Sequence, residues 1–432
     1  MNMVTLTETF STIRNVKVLV VGDLILDEYT KGDVDRVSPE APVPILLVSQ
    51  IFCLLGGAGN VACNLQALGA DVCIVGRVGD DVDGGRLENL LHDNFLSTDG
   101  IFVQKDFKTP LKNRFIAAGQ QLIRADYEKN TPISEKIEEK LKDFISKEIS
   151  NYDIIAISDY GKGCISTNIM QYIINEANKY RILVVVDPKG KDITKYSGAF
   201  LLKPNQKEAY YATSSESCTP INDVADKIIN QLNISYLLIT RSKDGMILFD
   251  KDGFNENFEV KIKDVLDVTG AGDTVLAMLV FCLANGFTIS NAIKLANISA
   301  SIAIESLGCA IVKLSEVAKS LIDIDPLNKI VGDDNDFFVL KKAIDDNKVA
   351  VLYLEEQEEL SNDIFCLIKD LDREKGDAKL IIHVDQKKCG TKIVNLLASM
   401  REVDFIVTSK EIEKFINHFS PIKVSRISKC LS

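Results

Sequence analysis

Runs of apolar residues, each about as long as one β-strand, recur through the first half of the chain. The first run, residues 16–21 (VKVLVV), ends in Gly22-Asp23. Such a run predicts a strand that is buried on both faces of a mainly parallel sheet. Similar runs are residues 72–75, 154–158, 183–186, 199–202 and 236–240, and helical patterns lie between them at 134–149, 167–179 and 222–232. This alternation predicts an α/β fold with helices on both faces of the sheet and ligands at the carboxyl ends of the strands.

Two segments depart from this alternation. Residues 29–49 hold three prolines and predict short, alternating strands, and residues 102–128 predict two more short strands at 112–116 and 121–126. We interpret residues 29–49 as a small β excursion from the main sheet that forms a lid over the active site, and residues 102–128 have a similar pattern.

A proline, a glycine and several acids cluster in residues 323–336 and predict a linker. After it, strand patterns recur at 349–354, 380–384, 405–407 and 422–424, with helical patterns at 363–373 and 392–400. The sequence therefore predicts a large α/β domain over residues 1–322, a linker over 323–336, and a small α/β domain over 337–432.

Charge and composition exclude several classes of protein. With 50 Lys and Arg against 62 Asp and Glu, the net charge is −12, which disfavours nucleic-acid binding. The 10 cysteines include no C-x-x-C pair, as expected of reduced thiols in a cytoplasmic protein. The three histidines, His92, His383 and His418, leave little for His-rich zinc sites or Ser-His-Asp catalysis. We expect neither a signal peptide nor a membrane partner.

The segment from Asp267 to Thr274 (DVTGAGDT) is the sharpest chemical motif in the chain. A Gly270-Ala271-Gly272 turn that opens a helix leaves backbone N–H groups free, and with the helix dipole these form an anion hole for a phosphate. Asp273 follows at once and is placed to act as the general base that takes a proton from an attacking hydroxyl. The alternative is an aspartate that only caps an ordinary helix.

Other blocks follow in a fixed order. They are G-G-A-G-N (56–60), L-G-A (68–70), G-R-V-G-D-D (76–81), D-P (187–188), K-P-N-Q-K-E (203–208), and Thr240-Arg241 with Gly245. With the octet above, this order resembles the ribokinase-like (PfkB-type) sugar kinases over roughly residues 10–320. The blocks at 22–27, 36–44, 120–126, 158–163, 187–190 and 240–246 resemble, within that family, the D-glycero-β-D-manno-heptose 7-phosphate kinases.

The resemblance implies a ribokinase-like, mainly parallel sheet with helices on both faces and a small β lid. It implies that ATP phosphorylates the anomeric hydroxyl of D-glycero-D-manno-heptose 7-phosphate, giving the 1,7-bisphosphate for ADP-heptose and lipopolysaccharide core. Mg²⁺, a monovalent cation such as K⁺, and a homodimer built through the lid are implied as well. The alternatives are a kinase for another sugar or sugar phosphate, a bifunctional kinase/adenylyltransferase, and a non-catalytic sugar-phosphate sensor.

Individual residues receive roles from the same comparison. The substrate would be bound by Asp27, Gly56, Gly57, Asn60, Arg114, Arg124, Asp126 and Lys162. ATP would be bound by Asn205, Glu208, Thr240, Arg241, Gly245, Gly270, Gly272 and Asn297, with Glu208 holding Mg²⁺ through water and Asp267 holding the monovalent cation. The alternatives are solvated charges for Asp27, Arg114, Arg124 and Lys162, and a capped helix start for Asn205 and Glu208.

The related bifunctional enzymes carry a C-terminal nucleotidyltransferase with an H-x-G-H motif soon after its first strand. Here the predicted strand 349–354 leads into Glu355, Glu356, Gln357, Glu358 and Glu359, with neither histidine nor glycine. Four carboxylates would repel the phosphates of ATP. We therefore predict that residues 337–432 are a degenerate, catalytically inactive nucleotidyltransferase-like domain.

Overall fold

A computed structural model describes residues 5–11, 13–260, 265–306, 308–332, 337–344, 347–355, 360–385, 389–409 and 412–427. The chain divides into two compact units: Arg14–Val312, and Met1–Ile13 together with Lys313–Ser432. The domain boundaries expected at residues 322 and 337 stay a prediction, since this division falls between Val312 and Lys313.

The helices and strands are numbered in chain order. The strands are β1 (Lys17–Gly22), β2 (Leu24–Val37), β3 (Pro44–Gly57), β4 (Asp71–Gly79), β5 (Ser97–Gln104), β6 (Leu111–Ala117), β7 (Gln120–Tyr127), β8 (Ile154–Ser158), β9 (Leu183–Asp187), β10 (Leu201–Leu202), β11 (Tyr236–Thr240), β12 (Met246–Asp250), β13 (Asn255–Phe258), β14 (Ile330–Val331), β15 (Val349–Leu354), β16 (Lys379–Val384), β17 (Phe405–Val407) and β18 (Lys423–Ile427). The α-helices are α1 (Leu6–Ser11), α2 (Ala58–Ala67), α3 (Val82–Asp93), α4 (Glu135–Glu148), α5 (Thr167–Tyr180), α6 (Gln206–Ala212), α7 (Ile221–Leu232), α8 (Ala271–Ala284), α9 (Ile289–Ala303), α10 (Leu314–Ile324), α11 (Phe337–Ile344), α12 (Asn362–Glu374), α13 (Thr391–Ser399) and α14 (Ile412–Phe419).

The Arg14–Val312 unit is built on a nine-stranded sheet in the order β13-β12-β11-β10-β9-β8-β1-β4-β5. Its strands are parallel from β11 to β5, and β12 and β13 continue the sheet antiparallel. The predicted α/β fold with a mainly parallel sheet is confirmed, and β8 and β11 have the predicted bounds. The strand predicted at 199–202 is only two residues long, because residues 194–199 close a turn in which Ser197 N–H donates to the Thr194 carbonyl.

A separate four-stranded sheet, in the order β3-β2-β6-β7, forms the lid. The prediction of short lid strands between residues 29 and 49 was wrong, because β2 and β3 each extend over 14 residues. β2 follows β1 after one residue, and its first half is buried while its last five residues are exposed. This change of environment along one strand removes the regular alternation that would have revealed its length.

The core of this unit lies between the large sheet and its helices. In α4, Ile137, Leu141 and Ile145 are buried at four-residue spacing, which is the apolar stripe of an amphipathic helix. They pack in one cluster with the buried strand residues Ile155 and Ile157. Each buried side chain of this size contributes about 1.5–3 kcal/mol, so Leu141→Ala is expected to cost about 2–5 kcal/mol.

The second unit contains a five-stranded parallel sheet in the order β14-β17-β16-β15-β18. Strands β15 and β18 lie side by side although they are distant in sequence, so the strand order reverses between them. In the segment predicted as a linker, 323–336, the described residues hold the end of α10, a 3₁₀ turn at Pro326–Lys329 and edge strand β14, whose Ile330 and Val331 pair with β17. Helix α1 packs against α10 and α11 through buried Leu6 and Phe10.

Across the part of the chain that the structure describes, no helix combines the length and the apolar character that a membrane crossing requires.

Candidate active site

The predicted anion hole lies at the start of helix α8. Gly270 is the N-cap residue with φ +78°, and a Cβ there would stand 2.8 Å from the Asn60 amide nitrogen, so only glycine fits. Gly272 and Asp273 occupy the first turn, where backbone N–H groups have no carbonyl partner within the helix. The helix start therefore offers N–H groups and a positive dipole end to an anion.

Asp273 is buried beside this turn, at 2% exposure. Its Oδ2 accepts a hydrogen bond from Asn60 Nδ2 at 2.8 Å, and its Oδ1 accepts one from the Tyr160 hydroxyl at 2.7 Å. Burial raises the pKa of Asp273 to about 7, although the two hydrogen bonds oppose that shift, and nearby Asp187 adds to it. The capping alternative does not describe this geometry, because Gly270 occupies the cap and Asp273 accepts from other elements.

Lys203 and Asp187 form an ion pair next to the start of α8, with Nζ and Oδ2 2.9 Å apart. Both atoms lie 3.9 Å from where a Gly272 Cβ would stand, and Lys203 is 2% exposed. Burial raises the pKa of Asp187 to about 6, against the charge of Lys203. Our sequence analysis assigned no role to Lys203 or Tyr160, although both stand inside blocks that it singled out, K-P-N-Q-K-E and S-D-Y-G-K-G.

One face of the lid carries four of the eight predicted substrate residues, together with Lys112. In the strand register, Asp27 of β2 pairs with Lys112 of β6 and Lys112 with Asp126 of β7, while Arg114 pairs with Arg124. Because side chains alternate along a strand, these five share one face of the sheet.

Asp27 and Arg114 form a buried ion pair on this face, with 6% of each side chain exposed. Both therefore differ from solvated surface charges. Gly56 lies against the Asp27 carboxylate, where a Cβ would collide with Oδ2, and Gly57 follows it at the start of α2. The Cys309 thiol donates to Asp27 Oδ2 at 3.4 Å.

Two basic residues of this face, Arg124 and Lys112, lie near Lys162 of the segment after β8. Arg124, on edge strand β7, is 45% exposed and makes two hydrogen bonds to Asp126, at 2.7 and 3.0 Å. Lys162 donates to Glu128 at 2.6 Å. Burial and the charges of Arg124 and Lys162 lower the pKa of Lys112. Our sequence analysis did not name Lys112 as a substrate residue. The three cations lie near enough to one another to attract an anion.

A cavity of about 1090 Å³ adjoins the start of α8, where Ala271 and Gly272 belong to its lining. Its lining includes Asn205, Thr240, Arg241, Gly245, Gly272 and Asn297, all of them predicted ATP-binding residues. Asn297 Nδ2 donates to the Glu259 carbonyl at 2.9 Å, and no described residue donates to its buried Oδ1. An unpaired buried acceptor in a cavity wall fits a ligand that brings an N–H donor.

The predicted metal residues have protein partners. Asn205 and Glu208 form a capping box at the start of α6, and Glu208 also accepts from Lys189 at 2.7 Å. Asp267 accepts from Thr269 N–H and hydroxyl and from Gly308 N–H. Burial opposes these hydrogen bonds, which nevertheless lower the pKa of Asp267. Within the described residues there is no cluster of three or more His, Cys, Asp or Glu suited to a metal ion.

Comparison with known proteins identifies the family. The sequence profile for the pfkB family carbohydrate kinases matches residues 16–316. The chain belongs to this family. A relative named Bifunctional protein HldE, from Sulfurimonas denitrificans, is 41% identical over 303 residues, which cover 70% of this chain and 63% of that protein. The chain thus spans less than two thirds of that relative's length.

Another relative aligns over both units. It is also named Bifunctional protein HldE, comes from Aliarcobacter butzleri, and is 36% identical over 427 residues, covering 91% of this chain and 86% of that protein. Among solved structures, Arabidopsis thaliana ribokinase complexed with ribose and ATP matches with a TM-score of 0.57 at 19% identity, covering 71% of this chain and 99% of that one. This structural likeness shows the ribokinase-like fold.

Proposed function

We propose that the Arg14–Val312 unit is an ATP-dependent kinase that phosphorylates the anomeric hydroxyl of D-glycero-D-manno-heptose 7-phosphate. One observation carries this proposal: a buried carboxylate, Asp273, with a pKa of about 7, lies directly beside the N–H groups of the α8 start. A base and an anion hole side by side are what transfer of a phosphoryl group to a hydroxyl requires.

In the proposed step, Asp273 accepts the proton of the sugar hydroxyl as the hydroxyl oxygen bonds to the γ-phosphorus of ATP. The bond between the γ-phosphorus and the bridging oxygen breaks, and ADP leaves. The first-turn N–H groups of α8 and the Lys203 ammonium stabilise the negative charge on the oxygens of the transferred group. Fixed donors in a buried site stabilise such charge without having to reorganise.

The lid face supports a phosphorylated sugar as the acceptor. Asp27 and Arg114 would bind sugar hydroxyls, as would Asn60 beside the base. Lys112, Arg124 and Lys162 would bind the 7-phosphate, because guanidinium and ammonium groups are the side chains that match a phosphate. Asp126 would hold Arg124 in place until the phosphate arrives.

The large cavity fits ATP. The fold is similar to that of a ribokinase whose structure was solved with ribose and ATP, which supports this assignment. The unpaired oxygen of Asn297 fits an exocyclic amino group, and Thr240, Arg241 and Gly245 line the same cavity. Mg²⁺ suits a site with a single carboxylate such as Glu208, since it keeps water ligands and uses ATP oxygens, and there it would neutralise phosphate charge. The ionised Asp267 is a candidate ligand for K⁺.

The lid also suggests a homodimer. The β2–β3 hairpin exposes apolar side chains, Val37, Val43, Leu47, Val48 and Ile51, each between 47% and 64% exposed. A cluster of this kind marks an interaction surface, and a second lid would cover it. Light scattering should give a dimer mass for the protein and a monomer mass for Ile51→Lys; a monomeric protein would contradict this assignment.

For the second unit we propose no adenylyltransferase activity, although the relatives carry the word bifunctional in their names. Strand β15 ends at Leu354, and Glu355 follows where an anion-binding group would be needed. The remaining acids of this run, Glu356, Glu358 and Glu359, lie outside the described residues.

The deciding experiment is an acceptor screen with the full chain, ATP and Mg²⁺. We expect D-glycero-D-manno-heptose 7-phosphate to give ADP and a 1,7-bisphosphate, identified by ³¹P NMR and mass spectrometry. Six-carbon sugar phosphates and the unphosphorylated heptose serve as controls. Faster turnover of a six-carbon acceptor would make the protein a kinase for another sugar, and binding without turnover of any acceptor would make it a sensor.

A further inference from the structure

The segment between β8 and α5, residues 159–164 (DYGKGC), supplies both Tyr160 and Lys162 to the site. The Asp23 carboxylate, 2% exposed, accepts hydrogen bonds from three of its backbone N–H groups, those of Tyr160, Lys162 and Cys164, at 2.9, 2.9 and 3.0 Å. Asp23 directly follows β1, which lies between β8 and β4 in the large sheet. The segment is therefore fixed to the large sheet by a buried carboxylate.

Two more buried groups hold the same segment. Asp159 accepts from Gly161 N–H at 2.7 Å and from the Tyr196 hydroxyl at 2.8 Å. Arg77, 1% exposed, donates to the Lys162 carbonyl at 2.8 Å. Because these groups are buried, breaking any of the contacts would leave a polar group without a partner. The backbone of Tyr160 is thus held on both sides.

From this position the Tyr160 hydroxyl donates to Oδ1 of Asp273, while Asn60 donates to Oδ2. Burial raises the pKa of Tyr160 well above its ordinary value, and the Asp273 charge adds to this, so the phenol keeps its proton and remains a donor. A hydrogen bond to the charged form of a carboxylate favours that form. Tyr160 therefore opposes the effect of burial on the base.

Other charged and titratable groups also face Asp273. Asp187, at the end of β9, raises the pKa of Asp273, and Lys203, after β10, lowers it. Cys309, after α9, lies near both Asp27 and Asp273, and burial raises the pKa of its thiol, which keeps the thiol neutral. Within the described residues, Tyr160 and Asn60 are the two side chains that donate directly to the base.

We propose that Tyr160 is a positioning residue for phosphoryl transfer: its hydroxyl holds Oδ1 of Asp273, so that the base is oriented and ionised when the sugar hydroxyl arrives. This role rests on the proposed function, which names the acceptor. The hydrogen bond from Tyr160 acts on the Asp273 carboxylate with any acceptor. Tyr160→Phe removes the hydroxyl and keeps the ring, so it isolates this contact.

The kinetic test compares kcat/KM of the unmodified protein and Tyr160→Phe from about pH 5.5 to 9, with ATP, Mg²⁺ and D-glycero-D-manno-heptose 7-phosphate. We expect the acidic limb of the profile to move up by about one to two pH units, with most of the activity regained at the alkaline end. An equal loss at every pH, with the limb unmoved, would overturn the proposal. Tyr152→Phe is the matched control. The Tyr152 phenol hydrogen-bonds to the Cys73 side chain, so removal of its hydroxyl should leave the acidic limb in place.

A second measurement needs no turnover. Carboxyl ¹³C NMR of protein labelled at aspartate, with Asp273→Asn used to identify the resonance, follows the titration of Asp273 directly. The Asp273 midpoint should rise in Tyr160→Phe and stay unchanged in Tyr152→Phe; an unchanged midpoint in Tyr160→Phe refutes the proposal. If the unmodified protein phosphorylates no acceptor, the proposed function fails, and the NMR titration still decides the role of Tyr160.

Discussion

The two units each hold a carboxylate that is tightly hydrogen-bonded, but the partners are of opposite kinds. Asp273 accepts from an amide and a phenol, both neutral, and its pKa lies at about 7. Asp404 accepts from Lys375 Nζ at 2.6 Å, Lys379 Nζ at 3.2 Å and Leu380 N–H at 2.9 Å. Burial would raise the pKa of Asp404, but these cationic and N–H donors lower it. The first carboxylate can exchange a proton near neutral pH, whereas the second stays charged and ties elements together.

The two carboxylates also lie at opposite ends of the strands in their sheets. Asp404 directly precedes β17 and holds the start of β16, at the amino ends of parallel strands. Asp273 lies beside Asp187, which ends β9, at the carboxyl end of the other sheet. Carboxyl ends are where ligands bind in such sheets, and contacts at the opposite edge serve stability. The comparison predicts different outcomes for the same substitution in the two units.

The largest expected effect is on turnover. Asp273→Asn should lower kcat by about 10²–10⁴-fold, because a positioned general base contributes that much, while ATP affinity measured by calorimetry stays near that of the unmodified protein. Asp404→Asn is the matched control. It should leave kcat unchanged and lower the free energy of unfolding by about 1–3 kcal/mol.

The stability carried by Asp404 also has a defined pH dependence. Because its pKa is lowered in the folded state, its contribution is fully present above the ordinary value of about 3.9 and is lost as the pH falls through the folded value. Thermal melts of Asp404→Asn and the unmodified protein should therefore converge in acid.

Near-normal kcat in Asp273→Asn would remove the contrast between the two carboxylates.

The next effect concerns the acceptor. Arg124→Ala should raise KM for the sugar phosphate by about ten- to hundredfold and hardly change KM for ATP, because a lost hydrogen bond to a charged group costs about 1.5–3 kcal/mol. Arg124 is half exposed and its partner Asp126 lies on the same strand, so the fold should tolerate the change. An equal rise in KM for an unphosphorylated acceptor would rule out a phosphate-binding role.

A smaller effect is expected from pH alone. The base must be ionised to accept a proton, and burial holds its pKa at about 7, so kcat/KM should fall as the pH drops. Between about pH 8 and pH 6 the ionised fraction falls about tenfold, and the rate should fall with it. A profile that is flat down to about pH 5 would show that Asp273 does not limit the reaction.

The sequence predicted the parts of the fold and site that depend on local pattern. Apolar runs located β8 and β11 residue for residue, and the Gly-Ala-Gly turn correctly predicted that a helix, α8, begins there. These features depend on chain neighbours, so the sequence contains them.

Features that depend on distant residues were not predictable in this way. The partners of Asp273 lie 213 and 113 positions away, at Asn60 and Tyr160, and Arg114 meets Asp27 across 87 positions. The length of the lid hairpin was hidden because β2 passes from a buried to an exposed environment. Only tertiary packing sets such contacts, and packing overrides local preference.

The last prediction is that the second unit has no adenylyltransferase activity. The unmodified protein with ATP, Mg²⁺ and D-glycero-D-manno-heptose 1-phosphate should release pyrophosphate only at the rate of a protein-free control. Stabilising the phosphates of ATP requires hydrogen-bond donors or positive charge, and β15 leads into Glu355. Glu355→Gln should leave pyrophosphate release unchanged, because removing one negative charge creates no such site. Asp273→Asn serves as the background, since it removes the kinase reaction and keeps the second unit intact. Pyrophosphate release by both the unmodified protein and Asp273→Asn would show that the second unit is an active adenylyltransferase, and the contrast between the two sheets would then lie in their substrates instead of in the presence of chemistry.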